Sequence, residues 1–237
     1  MKINFRALAL KLLDFTLPLH CTFCENRDKL SLKIGICRKC IPSKSPDSTI
    51  RCVVCKSQLI DKFCEYCSSR NIFFERLEYL SIKKDWETDL INKIKFHDEP
   101  LLSNYFRMGF KKKWKIFQFP KFSFLTSIPS NSKTIKNRPL RPIHSIEEFL
   151  EEKTGLKLQD MLKKVSKENQ SGRTYRERFI HAFSSMEIKP EFKNNLKGNI
   201  LLIDDVFTTG ATMNETSRIL VENGAEKIYL LSLLRGE

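Results

Sequence analysis

Apolar residues along the chain gather in runs of different period, and the plainest lie near the C-terminus. Ile200 to Ile203 is a continuous apolar run, the pattern of a strand buried on both faces, and Ile228 to Leu234 is of the same kind. Between them lies a loop rich in threonine and glycine, Val206 to Ala211. A polar–apolar stretch follows and stops at Asn223-Gly224. Thr212 followed by Glu215 has the spacing of a capping box and predicts that a helix starts there. Strand, loop, helix and strand together predict a βαβ unit with parallel strands.

Upstream, Phe73 to Ile82 alternates well enough for a strand. Leu90 to Phe110 reads as helix interrupted near Pro100, and Phe122 to Ile128 as a strand running into a turn at Pro129. Ser130 to Ile143 is a polar, basic loop containing Pro139 and Pro142. Glu147 to Met161 reads as a polar helix with a break at Gly155. At the N-terminus, Leu8, Leu12, Leu13 and Phe15 fit one face of a short amphipathic helix over residues 1–19. Lys11 and Asp14 interrupt that segment, no small-residue cleavage site follows it, and no stretch is long enough to span a bilayer. The expected location is the cytoplasm.

Composition adds chemistry to this outline. Of 237 residues, 41% are hydrophobic, enough for a core, and the net charge is +14, which points to polyanions as ligands. All eight cysteines fall between Cys21 and Cys67, as four Cys-x-x-Cys pairs: Cys21/Cys24, Cys37/Cys40, Cys52/Cys55 and Cys64/Cys67. Each pair offers two thiolates from one knuckle, and two knuckles make one closed tetrahedral zinc site. Two structural zinc ions are therefore expected. Sequential pairing is preferred, and an interleaved pairing stays open. The spacers are too short to bury a core, so metal substitutes for it. A disulfide framework would need an oxidising compartment, and a redox role would need a Cys-x-x-Cys opening a helix after a strand. With both sites filled the charge falls to +10, since each four-thiolate zinc carries −2 against the +14 of the chain.

Between Arg107 and Phe124, Lys111, Lys112, Lys113 and Lys115 interleave with Phe110, Trp114, Phe117 and Phe119. Such a mixture can grip single-stranded nucleic acid, with lysines on phosphates and rings stacked on bases. The competing expectation is an ordinary amphipathic helix and strand, aromatics inward and lysines solvated.

The Ile200–Thr212 segment carries the most specific signal. Amides from Thr208 to Thr212 at a helix N-terminus form an anion cradle, Gly210 permits close approach, and the hydroxyls of Thr208, Thr209 and Thr212 can donate to phosphate. Two carboxylates beside such a cradle, Asp204 and Asp205, make sense as acceptors for sugar hydroxyls with a divalent cation nearby. The combination describes a ribose 5-phosphate.

This segment, ILLIDDVFTTGAT, resembles the PRPP motif of type I phosphoribosyltransferases. The four cysteine pairs after a short helix, IKFHDEP, the SIPS turn at Ser127 to Ser130 and RERFIHAF at Arg176 to Phe183 resemble the ComF family, phosphoribosyltransferase-like proteins with a double zinc knuckle linked to DNA uptake in natural competence. The resemblance implies an α/β fold, with a parallel sheet flanked by helices over residues 71–237 and a zinc-binding module over residues 20–70. It implies PRPP or a related ligand held with Mg²⁺ by Asp204, Asp205, Thr208, Thr209, Gly210, Ala211 and Thr212. Other DNA-uptake proteins are the partners it implies, while single-stranded DNA is the partner that the basic charge and the Lys111–Lys115 stretch allow. Where the family has a loop ending Arg-Gly-Phe-Asn-Gln, this chain reads Arg138-Pro139-Leu140-Arg141-Pro142, and Arg178 replaces a later Asn. Only Arg138 is kept as a candidate catalytic group. That loop handles pyrophosphate, so holding the ligand is implied more firmly than transferring it.

Overall fold

The computed structural model describes residues 20–43, 49–96, 99–129, 142–165 and 186–236. The N-terminal segment, the loop with Arg138 and the segment with Arg178 lie outside the described residues.

Seven strands are described: β1 (Arg76–Ile82), β2 (Phe124–Ser127), β3 (Leu158–Gln159), β4 (Leu162–Lys164), β5 (Met186–Ile188), β6 (Asn199–Phe207) and β7 (Lys227–Arg235). Five form one sheet in the order β1-β7-β6-β2-β3, every pairing parallel, while β4 and β5 make a separate antiparallel pair. The four longer helices are α1 (Asp85–Phe96), α2 (Ser103–Phe117), α3 (His144–Thr154) and α4 (Ala211–Glu222).

The central strands carry apolar side chains on both faces, so they read as runs rather than alternations. On β6, Leu201 and Ile203 join the core formed with α1, α2 and α3, while Ile200 and Leu202 join the core that contains Met213, Ile219 and Leu220 of α4. β7 divides likewise, with Leu231 and Leu233 on the first face and Ile228 and Leu230 on the second. Helices therefore cover both faces, and the α/β expectation holds.

Several boundaries shift for physical reasons. The helix expected over 90–110 is two helices, because Pro100 opens a 3-10 turn, Pro100–Leu102, between α1 and α2. The helix expected over 147–161 is α3, which ends when Gly155 adopts φ 72° and returns its amide to the Glu151 carbonyl at 2.9 Å. The basic aromatic stretch is the end of α2. Lys111, Lys112 and Lys115 are exposed there, but Lys113 donates to the Leu80 carbonyl at 2.8 Å. The Trp114 ring packs edge-on against Phe149, with centroids 5.9 Å apart.

Strand order locates the ligand face. From β2 the chain steps outward to β3, then returns past β2 to β6 and on to β7. The reversal lies between β2 and β6, and open α/β sheets bind ligands at the carboxyl ends of strands flanking such a point. Asp204 and Asp205 stand there, just beyond the last β2–β6 pair, Ser127 with Ile203.

Candidate functional site

β6 outruns β2 and ends at Phe207. Thr208 and Thr209 bend, Gly210 turns at φ 65°, and α4 begins at Ala211. The expected capping box does not form. Gly210 has no side chain to cap with, the N-cap falls two residues before Thr212, and Glu215 pairs with Arg218 instead. Only glycine fits this turn: a Cβ there would lie 2.3 Å from the Phe207 ring and 2.4 Å from the Tyr66 hydroxyl. The Thr209 hydroxyl accepts from the Ala211 amide at 3.4 Å. Thr208 is exposed, and Thr209 and Thr212 are half-buried, all within the segment that turns from β6 into α4.

The acid pair is held under tension. Burial raises the Asp204 carboxyl to about 8, and the charge of Asp205 adds to the rise. The Asp205 amide, donating to Asp204 Oδ1 at 2.8 Å, and the Lys95 ammonium act in the opposite direction. Lys95, from the end of α1, forms an ion pair with Asp205. Lys164 on β4 is held below the usual lysine range by burial, while the nearby Asp204 charge works against that shift. Sequence reasoning placed Lys95 in the IKFHDEP stretch and Lys164 in a basic stretch open to an anion, and joined neither to this loop. Both lie far from Asp204 in sequence, and only the fold brings them close.

The eight cysteines converge as two groups, Cys21/Cys24/Cys37/Cys40 and Cys52/Cys55/Cys64/Cys67, with the sulfurs of each group within 4.8 Å of one another. This is the sequential pairing. All eight are unbridged. The Sγ separations are 3.6 Å for Cys24–Cys37, 3.8 Å for Cys52–Cys67 and 3.4 Å for Cys55–Cys64. Tetrahedral zinc with Zn–S near 2.3 Å places its sulfurs about 3.8 Å apart, so four thiolates on one ion fit each group. Within the first group the Asn26 amide draws the Cys24 thiol down to about 7, while burial raises Cys37 and the Cys24 sulfur raises Cys40. Asp28 braces the first group: its carboxylate accepts from the amides of Leu30, Ser31 and Arg38 at 2.9, 2.7 and 2.8 Å, and the Arg38 bond foremost holds its acidity below the ordinary value.

The two groups sit on opposite faces of the sheet. Cys21 and Cys37 belong to the core with α1–α3, Cys52 and Cys55 to the core with α4. No helix among the described residues is long and apolar enough to cross a membrane.

A parallel sheet flanked by helices, an acid-pair loop at its switch point and two four-thiol groups define an α/β protein with cysteine knuckles. No protein-family model matches the chain. Two curated proteins do. Competence protein ComFC of Streptococcus pneumoniae is 30% identical over 152 residues, 62% of this chain and 62% of its own length. Competence protein ComFC of Bacillus subtilis is 28% identical over 153 residues, 64% of this chain and 60% of its own. The chain is thus similar to two ComFC proteins, in keeping with the resemblance read in its motifs, and spans less than two thirds of their length. Among solved structures, that of an adenine phosphoribosyltransferase is similar over 58% of this chain and 74% of that chain, at 16% identity and a TM-score of 0.33. That likeness is distant, and the fold rests on the strand order described above.

Proposed function

We propose that the chain holds a 5-phosphoribosyl ligand such as PRPP in the loop between β6 and α4 and acts in the cytoplasm in DNA uptake; the two relatives are named competence proteins. The observation that carries the reading is the juxtaposition of Asp204 and Asp205 with a glycine-turned loop at a helix N-terminus, at the topological switch point. In this reading Thr208, Thr209, Gly210, Ala211 and Thr212 enclose the 5-phosphate, and the two carboxylates accept from the ribose hydroxyls. Carboxylate oxygens also suit Mg²⁺, which would neutralise a pyrophosphate group when bound. Lys95 exchanges its ion pair with Asp205 for the arriving ligand. Residues 71–237 supply this body, and residues 20–70 hold two zinc ions.

Calorimetric titration with PRPP and Mg²⁺ tests the reading. The wild type gives heat, and the Asp204→Ala/Asp205→Ala variant gives none. A silent wild type, or equal heat from both, overturns it. Pyrophosphate release on adding a base or amine acceptor separates transfer from holding.

A further inference from the structure

Arg235, the last residue of β7, is 6% exposed. A buried guanidinium has five N–H donors, and each one left without an acceptor is costly. Arg235 finds its acceptors in two places. Its Nε donates to the Cys55 carbonyl at 3.3 Å and its Nη2 to Ser57 Oγ at 2.8 Å, both in the second cysteine group. Its Nη1 donates to the carbonyls of Phe207 and Thr208 at 3.4 and 3.2 Å, and to that of Gly236. The guanidinium also lies over the Phe207 ring, 5.0 Å from its centroid.

Other contacts run between the same two parts. Tyr66, in the one-turn helix Glu65–Ser68 that carries Cys67, fills the space beside Gly210 and tilts against Phe207 at 5.9 Å. Asn214 of α4 accepts from the Phe73 amide at 3.0 Å and donates to the Asn71 carbonyl at 2.9 Å. The loop that turns from β6 into α4 therefore has the second cysteine group along one side. The first group packs on the opposite face of the sheet.

We propose that Arg235 is a positioning residue that fixes the 207–210 turn to the Cys52/Cys55/Cys64/Cys67 group, so that this group sets the loop's affinity for its phosphorylated ligand. The inference rests on the phosphoribosyl reading for the identity of the ligand, but not for the existence of the brace. Arg235 touches no ligand. It acts by holding the Phe207 and Thr208 carbonyls, which orients the amides that follow them. If the knuckle turn at Cys55 distorts, the guanidinium loses two acceptors on that side and the loop loses its anchor.

Arg235→Lys and Ser57→Ala test this in the full chain, with bound zinc counted, hydrogen exchange followed across residues 207–212, and PRPP–Mg²⁺ affinity titrated. Lysine keeps the charge but cannot reach the Phe207 and Thr208 carbonyls together with the Cys55 carbonyl and the Ser57 hydroxyl. Arg235→Lys is expected to retain both zinc ions, to exchange faster across the loop, and to bind about tenfold more weakly, the equivalent of one hydrogen bond to a charged group. Ser57→Ala is expected to move exchange and affinity the same way by about two- to threefold. A purely structural role would lower the melting temperature and leave loop exchange and affinity at wild-type values, and that result in either folded variant overturns the proposal. If Arg235→Lys does not fold, Ser57→Ala decides. A wild type that binds no PRPP defeats the phosphoribosyl reading alone, and the exchange measurement still reports on the brace.

Discussion

Asp204→Asn should make the empty protein more stable while abolishing its binding of PRPP. The amide has the shape of the carboxylate but no charge. The Asp204 carboxyl titrates at about 8 in the fold, because burial and then the Asp205 charge disfavour its ionised form. An acid whose folded value is raised contributes stability that is fully present below the unfolded value, near 3.9, and is lost as pH rises through the folded value. The wild type therefore surrenders stability between about pH 4 and pH 8, and Asp204→Asn does not. A rise from about 3.9 to about 8 takes about 5 kcal/mol from the wild type by pH 8, with the opposing pull of Lys95 already counted in that value. For a chain of this length, removing the charge corresponds to a rise in melting temperature of roughly 10–20 °C. Thermal melts of both proteins at pH 5 and pH 8, without divalent cation, supply the check. The variant should melt higher at pH 8, with the gap narrowing at pH 5. A variant less stable than wild type at pH 8, or a gap independent of pH, would refute the reasoning.

Three further outcomes are expected. Lys95→Met removes the counter-charge of Asp205 and should destabilise the empty protein by about 1 kcal/mol at pH 8; combining it with Asp204→Asn should recover most of that, measured as a double-mutant cycle in denaturant melts. Gly210→Ala places a Cβ 2.3 Å from the Phe207 ring at φ 65° and should cost about 2–4 kcal/mol in the same melts, with loss of ligand binding. Cys37→Ser and Cys55→Ser should each remove one zinc per chain by metal analysis. Because structural zinc contributes about 10–16 kcal/mol, either change should abolish a single cooperative thermal transition.

The sequence made local features plain and left distant partnerships hidden. Runs such as Ile200 to Ile203 revealed buried parallel strands because both faces of β6 are covered, and Cys-x-x-Cys spacing revealed the knuckles because one turn must present two thiolates. The acid pair was legible because two adjacent carboxylates beside a glycine turn have little structural purpose. Lys95 was not, since a lysine at the end of an amphipathic helix resembles many solvated lysines until α1 is placed beside β6. Arg235 was hidden for a similar reason: an arginine closing an apolar strand gives no sign that its acceptors lie in a knuckle distant in sequence. The capping box misled because Thr212 and Glu215 have the right spacing, while the steric demand at Gly210 fixed where α4 starts.

The place of the cysteine groups follows from what the sheet lacks. β1 is an edge strand, and an open edge exposes unpaired backbone groups. The second group supplies what a neighbouring strand would: the Val54 carbonyl accepts from the Leu77 amide at 2.7 Å, and Lys56 pairs with Glu78 at 3.4 Å. The first group closes the other side, with Phe23 stacked on Trp86 of α1 at 5.6 Å and Cys21 and Cys37 inside that core. Too few apolar residues lie in these segments to hold such positions unaided, so a metal ion held by each group would provide the rigidity that lets short turns do the work of a flanking strand and helix. Loss of metal should then expose the β1 edge and loosen the β6–α4 turn together, since both lean on the turn between Cys52 and Ser57.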